Sequence, residues 1–392
     1  MPYTIPEIAR PFTLHISDED CSQLRELLRL SRIGPTTWEN QHQDGRYGIS
    51  HQWLVSTKDY WLNEFDWRAQ EARINAFPNY KITVQDDTSN TDIDFHFVGL
   101  FSQKNDAIPI VLLHGWPGSF LEFIPTLELL LEKYDLSSLP YHVIVPSLPG
   151  YMLSSGPSQT EAWTHEDAAR VINKAVKALG FSRYAVQGGD VGSLIASTLT
   201  TNYYDSVAAI HLNLLPSLDR VSADDSSLSN AEKNAIVRAE QRFLTPTIGA
   251  AMLQSTRPAT IGAMVSSSPL ALLAWIGEKF LEWPDDPIKI NELLTNVSLY
   301  WFTETMPRCI YTYRGTFING HQFSFAPFKQ PLGYSWFLRE LVPSPKKIVE
   351  KKGNLVFYRQ HEKGGHFAAL ERPVEFLQDV EDFIAVAWPR NG

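Results

Sequence analysis

The chain is short of cysteine and has no basic run. Among 392 residues there are two cysteines, Cys21 and Cys309. That is too few for a disulfide framework, and they lack the spacing of a metal site. Basic residues form no cluster and the formal net charge is −10, so the electrostatic footprint of a nucleic-acid binder is missing. The acidic excess favours solubility and says little else. No apolar run is long enough to span a bilayer. The N-terminal text MPYTIPEIARPF is broken by Pro2, Pro6 and Pro11 and carries charge where a secretory signal would be apolar. Asn296-Val297-Ser298 fits the glycosylation acceptor pattern, and without a signal it reads as chance. No nucleotide, flavin or metal motif occurs. The expectation is a cytoplasmic protein without cofactor, acting on a small molecule rather than on nucleic acid or membrane. The oligomeric state is open, a homodimer included.

What is present is ordinary for a globular protein, at 44% hydrophobic and 20% charged. The length suits one large domain with an insertion, or two modest ones. Aromatics make up 12%, with 11 Trp, enough to line an apolar cavity or simply to fill a core. Residues 1 to about 85 are rich in helix formers. Ser17-Asp18-Glu19-Asp20 opens a helix with acidic residues in its first turn, and Leu24, Leu27, Leu28 and Leu30 follow at near-helical spacing. Trp53, Trp61 and Trp67 mark a second stretch. No chemistry is evident here, and the segment reads as a packing extension.

From Lys81 the period changes. Ile82 and Val84, then Ile93, Phe95 and Phe97, alternate as a hairpin would. Short, almost wholly apolar runs follow at Ile108–Leu113, His142–Val145, Tyr184–Val186 and Val207–Ile210, with an amphipathic helix from Glu166 to Leu179 between the second and third. Buried strands alternating with helices predict a mostly parallel sheet covered on both faces. The alternation stops near Pro216. Residues 217–325 are helical, punctuated at Ser266-Ser267-Ser268-Pro269, and aromatic at Trp275, Phe280, Trp283, Tyr300 and Trp301. They read as a cap over the strand ends, where ligands bind. Strand-like text returns at Asn354–Tyr358, and a helix from Pro373 to about Trp388 closes the chain. The expected organisation is an extension (1–85), an α/β core (86–216 and 326–392) and a helical cap (217–325).

Three motifs carry chemistry. Gly188-Gly189-Asp190-Val191-Gly192-Ser193 lies between an apolar strand and an apolar helix. Glycines two before and two after a central residue make the sharp turn of a nucleophile elbow, where a Cβ would clash. Esterases carry Ser at the centre; here it is Asp190, which a helix N-cap would also favour. His114-Gly115-Trp116-Pro117-Gly118-Ser119 directly follows a strand. In the α/β-hydrolase arrangement such a loop gives one oxyanion-hole amide and the residue after the nucleophile gives the other. That assigns Trp116 and Val191, against the alternative of a plain Gly/Pro turn. Gly364-Gly365-His366-Phe367 follows the last strand. Chain order then makes His366 the general base, with His361 the weaker candidate. The acid must fall between them, after a late strand. Glu340, in Leu338-Arg339-Glu340-Leu341-Val342-Pro343, has the position to hold the imidazole tautomer, and a solvated Glu beside Arg339 is the alternative.

At this point the chain resembles a family. His114–Ser119, Gly188–Ser193, Ser266–Trp275 and GGHFAALERP (364–373) look like the fungal and microsomal-type epoxide hydrolases, and Phe65-Asp66-Trp67-Arg68 resembles their N-terminal extension. The resemblance spans nearly the whole chain. It implies an α/β-hydrolase fold with Asp190 as nucleophile, His366 as base and Glu340 as acid. Asp190 would open an epoxide to an alkyl ester, and His366 would activate water to cleave it. The family protonates the leaving alkoxide from two lid tyrosines, phenols being protonated at neutral pH. Tyr313, in Ile310-Tyr311-Thr312-Tyr313-Arg314, matches one. The other should fall just before Ser255-Thr256-Arg257-Pro258, where this chain has Ala250. Tyr313 alone, Tyr300, Tyr311 or a water are the candidates to serve instead. Other readings stay open: a cyclase opening the ring with a substrate hydroxyl, or a dehalogenase-like hydrolase. The second is disfavoured by Val191, where those enzymes usually carry Trp. A binding protein on the same fold would lack an intact triad.

Overall fold

The apolar runs dictate the sheet. A computed structural model describes residues 3–215, 221–242, 248–318 and 327–388, with backbone alone at 242 and 315–318. Nine strands form one sheet: β1 (Arg10–Phe12), β2 (Asn79–Asp86), β3 (Thr91–Leu100), β4 (Ile108–Leu113), β5 (Tyr141–Pro146), β6 (Tyr184–Gly188), β7 (Val207–Leu212), β8 (Phe328–Phe337) and β9 (Gly353–His361). Their order is β1-β2-β3-β5-β4-β6-β7-β8-β9. β1, β2, β3 and β5 pair antiparallel in succession, and every later pair is parallel. The expected α/β-hydrolase fold is therefore present. β5, β6 and β7 are buried along their whole length, as strands covered on both faces should be.

Three helices precede the parallel part: α1 (Asp18–Leu30), α2 (His51–Asn63) and α3 (Trp67–Asn75). Ser17 caps α1 by accepting the Asp20 N–H. α4 (Ile124–Lys133), α5 (His165–Ala178) and α6 (Asp190–Asn202) alternate with the central strands. Thr164 and Asp167 close a capping box on α5. Between β7 and β8 the described elements are all helical: α7 (Asn230–Arg242), α8 (Ile248–Thr256), α9 (Pro258–Ser266), α10 (Pro269–Glu282), α11 (Ile290–Phe302), α12 (Thr305–Cys309) and α13 (Tyr311–Ile318). Ser268 caps α10 with Pro269 as its first residue, the arrangement that proline's fixed φ favours. α14 (Lys346–Val349), α15 (Ala368–Glu371) and α16 (Pro373–Ala387) complete the chain.

Several expectations needed correction. Leu27 and Leu30 are exposed, and the core face of α1 is Leu24 and Leu28. The N-terminal stretch gives β1 and the start of β2 to the sheet, which its helix-forming text did not signal. The strand expected just before Glu340 is β8, whose bounds the sequence did not mark because Pro331 and Gly333 interrupt its pattern. Pro216, the end of the alternation, and the 325/326 boundary lie outside the described residues. Among the described residues no single helix is long and apolar enough to cross a membrane. α9 and α10 reach that composition only as a pair, bent by 117°.

The extension does more than cover the sheet. Trp61 Nε1 donates to Ser298 Oγ on α11 at 3.2 Å, and Trp67 lies edge-on to Phe302, 4.9 Å between centroids. Arg73 pairs with Glu292 on α11 at 2.6 Å and with Glu128 on α4 at 3.0 Å. α1–α3 thus strap the cap to the core. Trp61→Ala should cost about 3–5 kcal/mol, as loss of a buried Trp does. Denaturant unfolding checks this, and a loss under about 1 kcal/mol would mean the strap bears no load.

Candidate active site

β6 ends at Gly188 and α6 begins at Asp190, leaving one residue for the turn. The turn is sharp enough to put Asp190 at φ 45°, a left-handed conformation that costs a non-glycine residue about 1–3 kcal/mol. A Cβ on Gly188 would meet the Gly192 backbone, and one on Gly192 the carbonyls of Leu113 and His114. The strained turn lifts the Asp190 carboxyl off the sheet at the N-terminus of α6, where the helix dipole favours an anion.

The Trp116 N–H donates to Asp190 Oδ1 at 2.8 Å. The loop bearing it is held from the cap. Asn296 Nδ2 donates to the Pro117 carbonyl (2.8 Å), Ser119 Oγ donates to Asn296 Oδ1 (2.8 Å), and the Tyr300 hydroxyl donates to the Gly118 carbonyl (3.0 Å). The glycosylation pattern at Asn296 is therefore a packed core element. His114, fully enclosed, accepts the Leu148 N–H at 3.1 Å, and burial pushes its pKa down to about 4; its part is to shape the loop. Val191, the other expected amide, stands in the first turn of α6, where a helix leaves donors without partners. No hydrogen bond joins it to the resting carboxylate, so Trp116 alone holds Oδ1.

His366 comes from the loop after β9, and Glu340 from the turn after β8. His366 Nε2 lies 3.4 Å from Asp190 Oδ2, and Nδ1 lies 2.8 Å from Glu340 Oε1. Glu340 is 2% exposed and also takes the Leu341 N–H at 2.5 Å. It is not a solvated neighbour of Arg339, which pairs with Asp285 at 3.0 Å. Burial opposes a charge on His366, but the carboxylates of Glu340 and Asp190 outweigh it and hold its pKa well above 6.5. His361 lies elsewhere, 2.6 Å from the buried Asp379.

Sequence reasoning missed what fixes the His366 loop. Glu371 accepts the N–H groups of Gly365, Phe367, Asp285 and Asp286. Asp285 in turn takes the Gly364 N–H at 2.9 Å, and the Trp283 carbonyl takes that of His366 at 3.1 Å. The loop is thereby joined to the segment after α10. Glu371 lies inside GGHFAALERP, but nothing in that text marks a carboxylate for such a role. Burial outweighs those four bonds and raises its pKa to about 7.

Tyr313 is buried in α13, edge-on to Trp116 with centroids 5.4 Å apart. Burial and the Asp190 charge keep its phenol protonated far above pH 10. Tyr300 and Tyr311 are committed elsewhere, the latter donating to the Pro149 carbonyl at 2.8 Å, so neither is free to replace a missing lid phenol. Ala250 sits on α8, which packs against α13, and Ser255 Oγ on α8 donates to the Tyr313 carbonyl at 2.9 Å. The indole N–H groups of Trp116 and Trp283 are buried without a protein acceptor among the described residues. Among those residues no cluster of three or more His, Cys, Asp or Glu is arranged for a metal.

Fold and site together define an α/β-hydrolase with a carboxylate on its elbow. The α/β hydrolase fold model matches residues 108–236, and the epoxide hydrolase N-terminus model matches residues 9–123. The solved structure of Aspergillus niger epoxide hydrolase superposes with a TM-score of 0.90 at 45% identity, covering 98% of this chain and 99% of that one. A Dothistroma septosporum protein provisionally named an epoxide hydrolase is 38% identical over 99% of this chain and 93% of its own. Epoxide hydrolase 1 of Sus scrofa is 30% identical over 97% of this chain and 89% of its own. The chain belongs to the epoxide hydrolase family.

The geometry fixes a pH expectation. In NMR titration the His366 imidazole should lose its proton above 6.5, and Asp190→Asn and Glu340→Gln should each bring that value down. A raised folded pKa means that the stability from this charge is complete below the unfolded value and is lost as pH rises through the folded one. An unshifted His366 in both variants would break the assignment.

Proposed function

We propose that this chain opens epoxides to vicinal diols through an ester on Asp190. The observation that carries the proposal is the asymmetry of the Asp190 carboxylate. Oδ1 is pinned by the Trp116 amide, while Oδ2 faces His366. Oδ2 attacks an epoxide carbon, the C–O bond breaks, and an alkyl ester forms. The alkoxide takes the Tyr313 proton, and the resting imidazolium of His366 restores the phenol. His366, now neutral, takes a proton from water as its oxygen adds to the ester carbonyl. The charge that develops on Oδ1 meets the Trp116 N–H, joined by the free Val191 N–H. Collapse expels the second alkoxide, which takes the proton of the hydroxyl just added to the Asp190 carboxyl, and the diol leaves. Asp190 returns as a carboxylate carrying one water oxygen, and His366 returns as imidazolium.

In this scheme Glu340 orients the imidazole and balances its charge. Ala250 leaves Tyr313 as the lone lid phenol, backed by the proton on His366. An alkyl ester suits the chemistry because substitution at sp³ carbon leaves a carbonyl that water can still attack.

Intact mass of His366→Gln after incubation with small aryl and alkyl epoxides tests the scheme. A gain equal to the epoxide, lost when Asp190 is also changed to Asn, is expected; a folded protein with no adduct would sink the covalent route. In a single turnover in heavy-oxygen water, the label should enter Asp190 rather than the diol. Tyr313→Phe should slow ester formation by about 10²–10⁴-fold, the usual worth of a general acid, and leave ester hydrolysis much less affected. Ala250→Tyr should speed ester formation in stopped-flow traces; an unchanged rate would mean that a single phenol already saturates the step.

A further inference from the structure

Glu122 was not singled out by any motif, yet it stands at the reacting centre. It follows the His114–Ser119 loop, in the short 3-10 turn Phe120–Phe123. With Asp190, His366, Trp116 and Asn213 it lines a chamber of about 20 Å³. A cavity needs roughly 10–15 Å³ to admit one water, so the chamber has room for a water beside Asp190 and His366. Its walls are polar where such a water needs partners: a carboxylate, an imidazole, a second carboxyl and a carboxamide.

The loop makes room for this carboxyl. Gly118 has no side chain, and a Cβ there would collide with Glu122 Oε1. Glu122 has no ion-pair partner among the described residues. The groups facing it are His366, Asp190, Glu371 and the Ser119 backbone N–H. Burial, only partly offset by His366 and reinforced by Asp190, pushes its pKa up to about 8. A neutral acid fits a site that already holds one carboxylate, since two ions of like charge at such range disfavour each other.

We infer that Glu122 binds the hydrolytic water in this chamber and aims it at the Asp190 ester. The inference rests on the covalent-ester reading above. The water donates one O–H to His366 Nε2, which takes that proton, and the other to the Glu122 carbonyl oxygen, which takes none. The lone pair thus freed points at Cγ of the ester. Glu122 serves only the second half of the cycle, because ester formation consumes no water.

Glu122→Met and Glu122→Gln separate the possibilities. Met keeps the volume and removes the hydrogen bonds, and a buried polar group replaced by an apolar one of similar shape is tolerated in the fold. Gln keeps one acceptor and one donor, as a neutral acid does. Rapid-quench intact mass with phenyloxirane reads ester formation and ester hydrolysis separately. Glu122→Met should slow hydrolysis on the order of 10- to 100-fold, the cost of a misplaced reactant. It should accumulate the ester at steady state with ester formation unchanged, and Glu122→Gln should restore most of the hydrolysis rate. Equal slowing of both steps, or no slowing, overturns the inference. Gln as slow as Met overturns the neutral form. His366→Gln run alongside keeps the two readings apart: if it traps no ester, the covalent route fails. If it traps ester while Glu122→Met turns over normally, only the role of Glu122 fails. Should Met not fold, Glu122→Ala is read in its place.

Discussion

His366 lies between two carboxylates, Glu340 at Nδ1 and Asp190 at Nε2, and the site depends on that sandwich. Two buried anions on one side of a sheet would repel each other and each resist desolvation. The imidazolium between them is the compensating charge. Asp190 comes from the end of β6, Glu340 from the end of β8 and His366 from the loop after β9, strands that stand close together in the order β6-β7-β8-β9. The parallel register brings three distant stretches of sequence to one edge. No local interaction could do so.

The cap and the catalytic loops are one mechanical unit. α11 holds the carbonyls of the Trp116 loop, and the segment after α10 holds the His366 loop through Glu371 and Asp285. The N-terminal helices in turn clamp α11 through Trp61, Trp67 and Arg73. A buried network of this kind is costly when half-satisfied and rigid when complete. Glu371, with four backbone donors, is the complete case. The extension, for which the sequence offers no chemistry, is joined to the cap by these contacts.

How legible this was depended on how local each signal is. The central strands and the three loops could be read because each is a short contiguous pattern: an apolar run, then Gly, then a reactive residue. Glu340 could be placed by chain order, and its burial only by the structure. The bounds of β8 were hidden because Pro331 and Gly333 break the alternation, and its pairing with β9 shifts register at two points. Leu27 and Leu30 share the helical spacing of Leu24 and Leu28 yet stay exposed, because α1 packs against α2 and α10 over a narrow stripe. Glu122 and Glu371 were invisible for a different reason. Their partners are backbone amides and a space, and neither leaves a residue pattern. The nearest clue to Glu122 was Gly118, four residues earlier, a glycine that the turn alone did not require.

For the proposed route, a single lid phenol is less damaging than a count of donors implies. The Asp190 charge raises the pKa of both His366 and Tyr313. In the resting site this keeps the imidazole charged and the phenol a poor acid. In the proposed route, ester formation removes that charge in the same step that creates an alkoxide, and the consequences follow from that route. The phenol then becomes a better acid when a base has just appeared beside it, and the imidazolium a better donor when the phenolate needs a proton. Its loss of that proton leaves His366 neutral, the form that ester hydrolysis requires. A single charge, moved once, thus changes the acid and the base together. A second phenol would share the alkoxide but would not alter this coupling, which rests on Asp190 and not on the number of tyrosines in the lid.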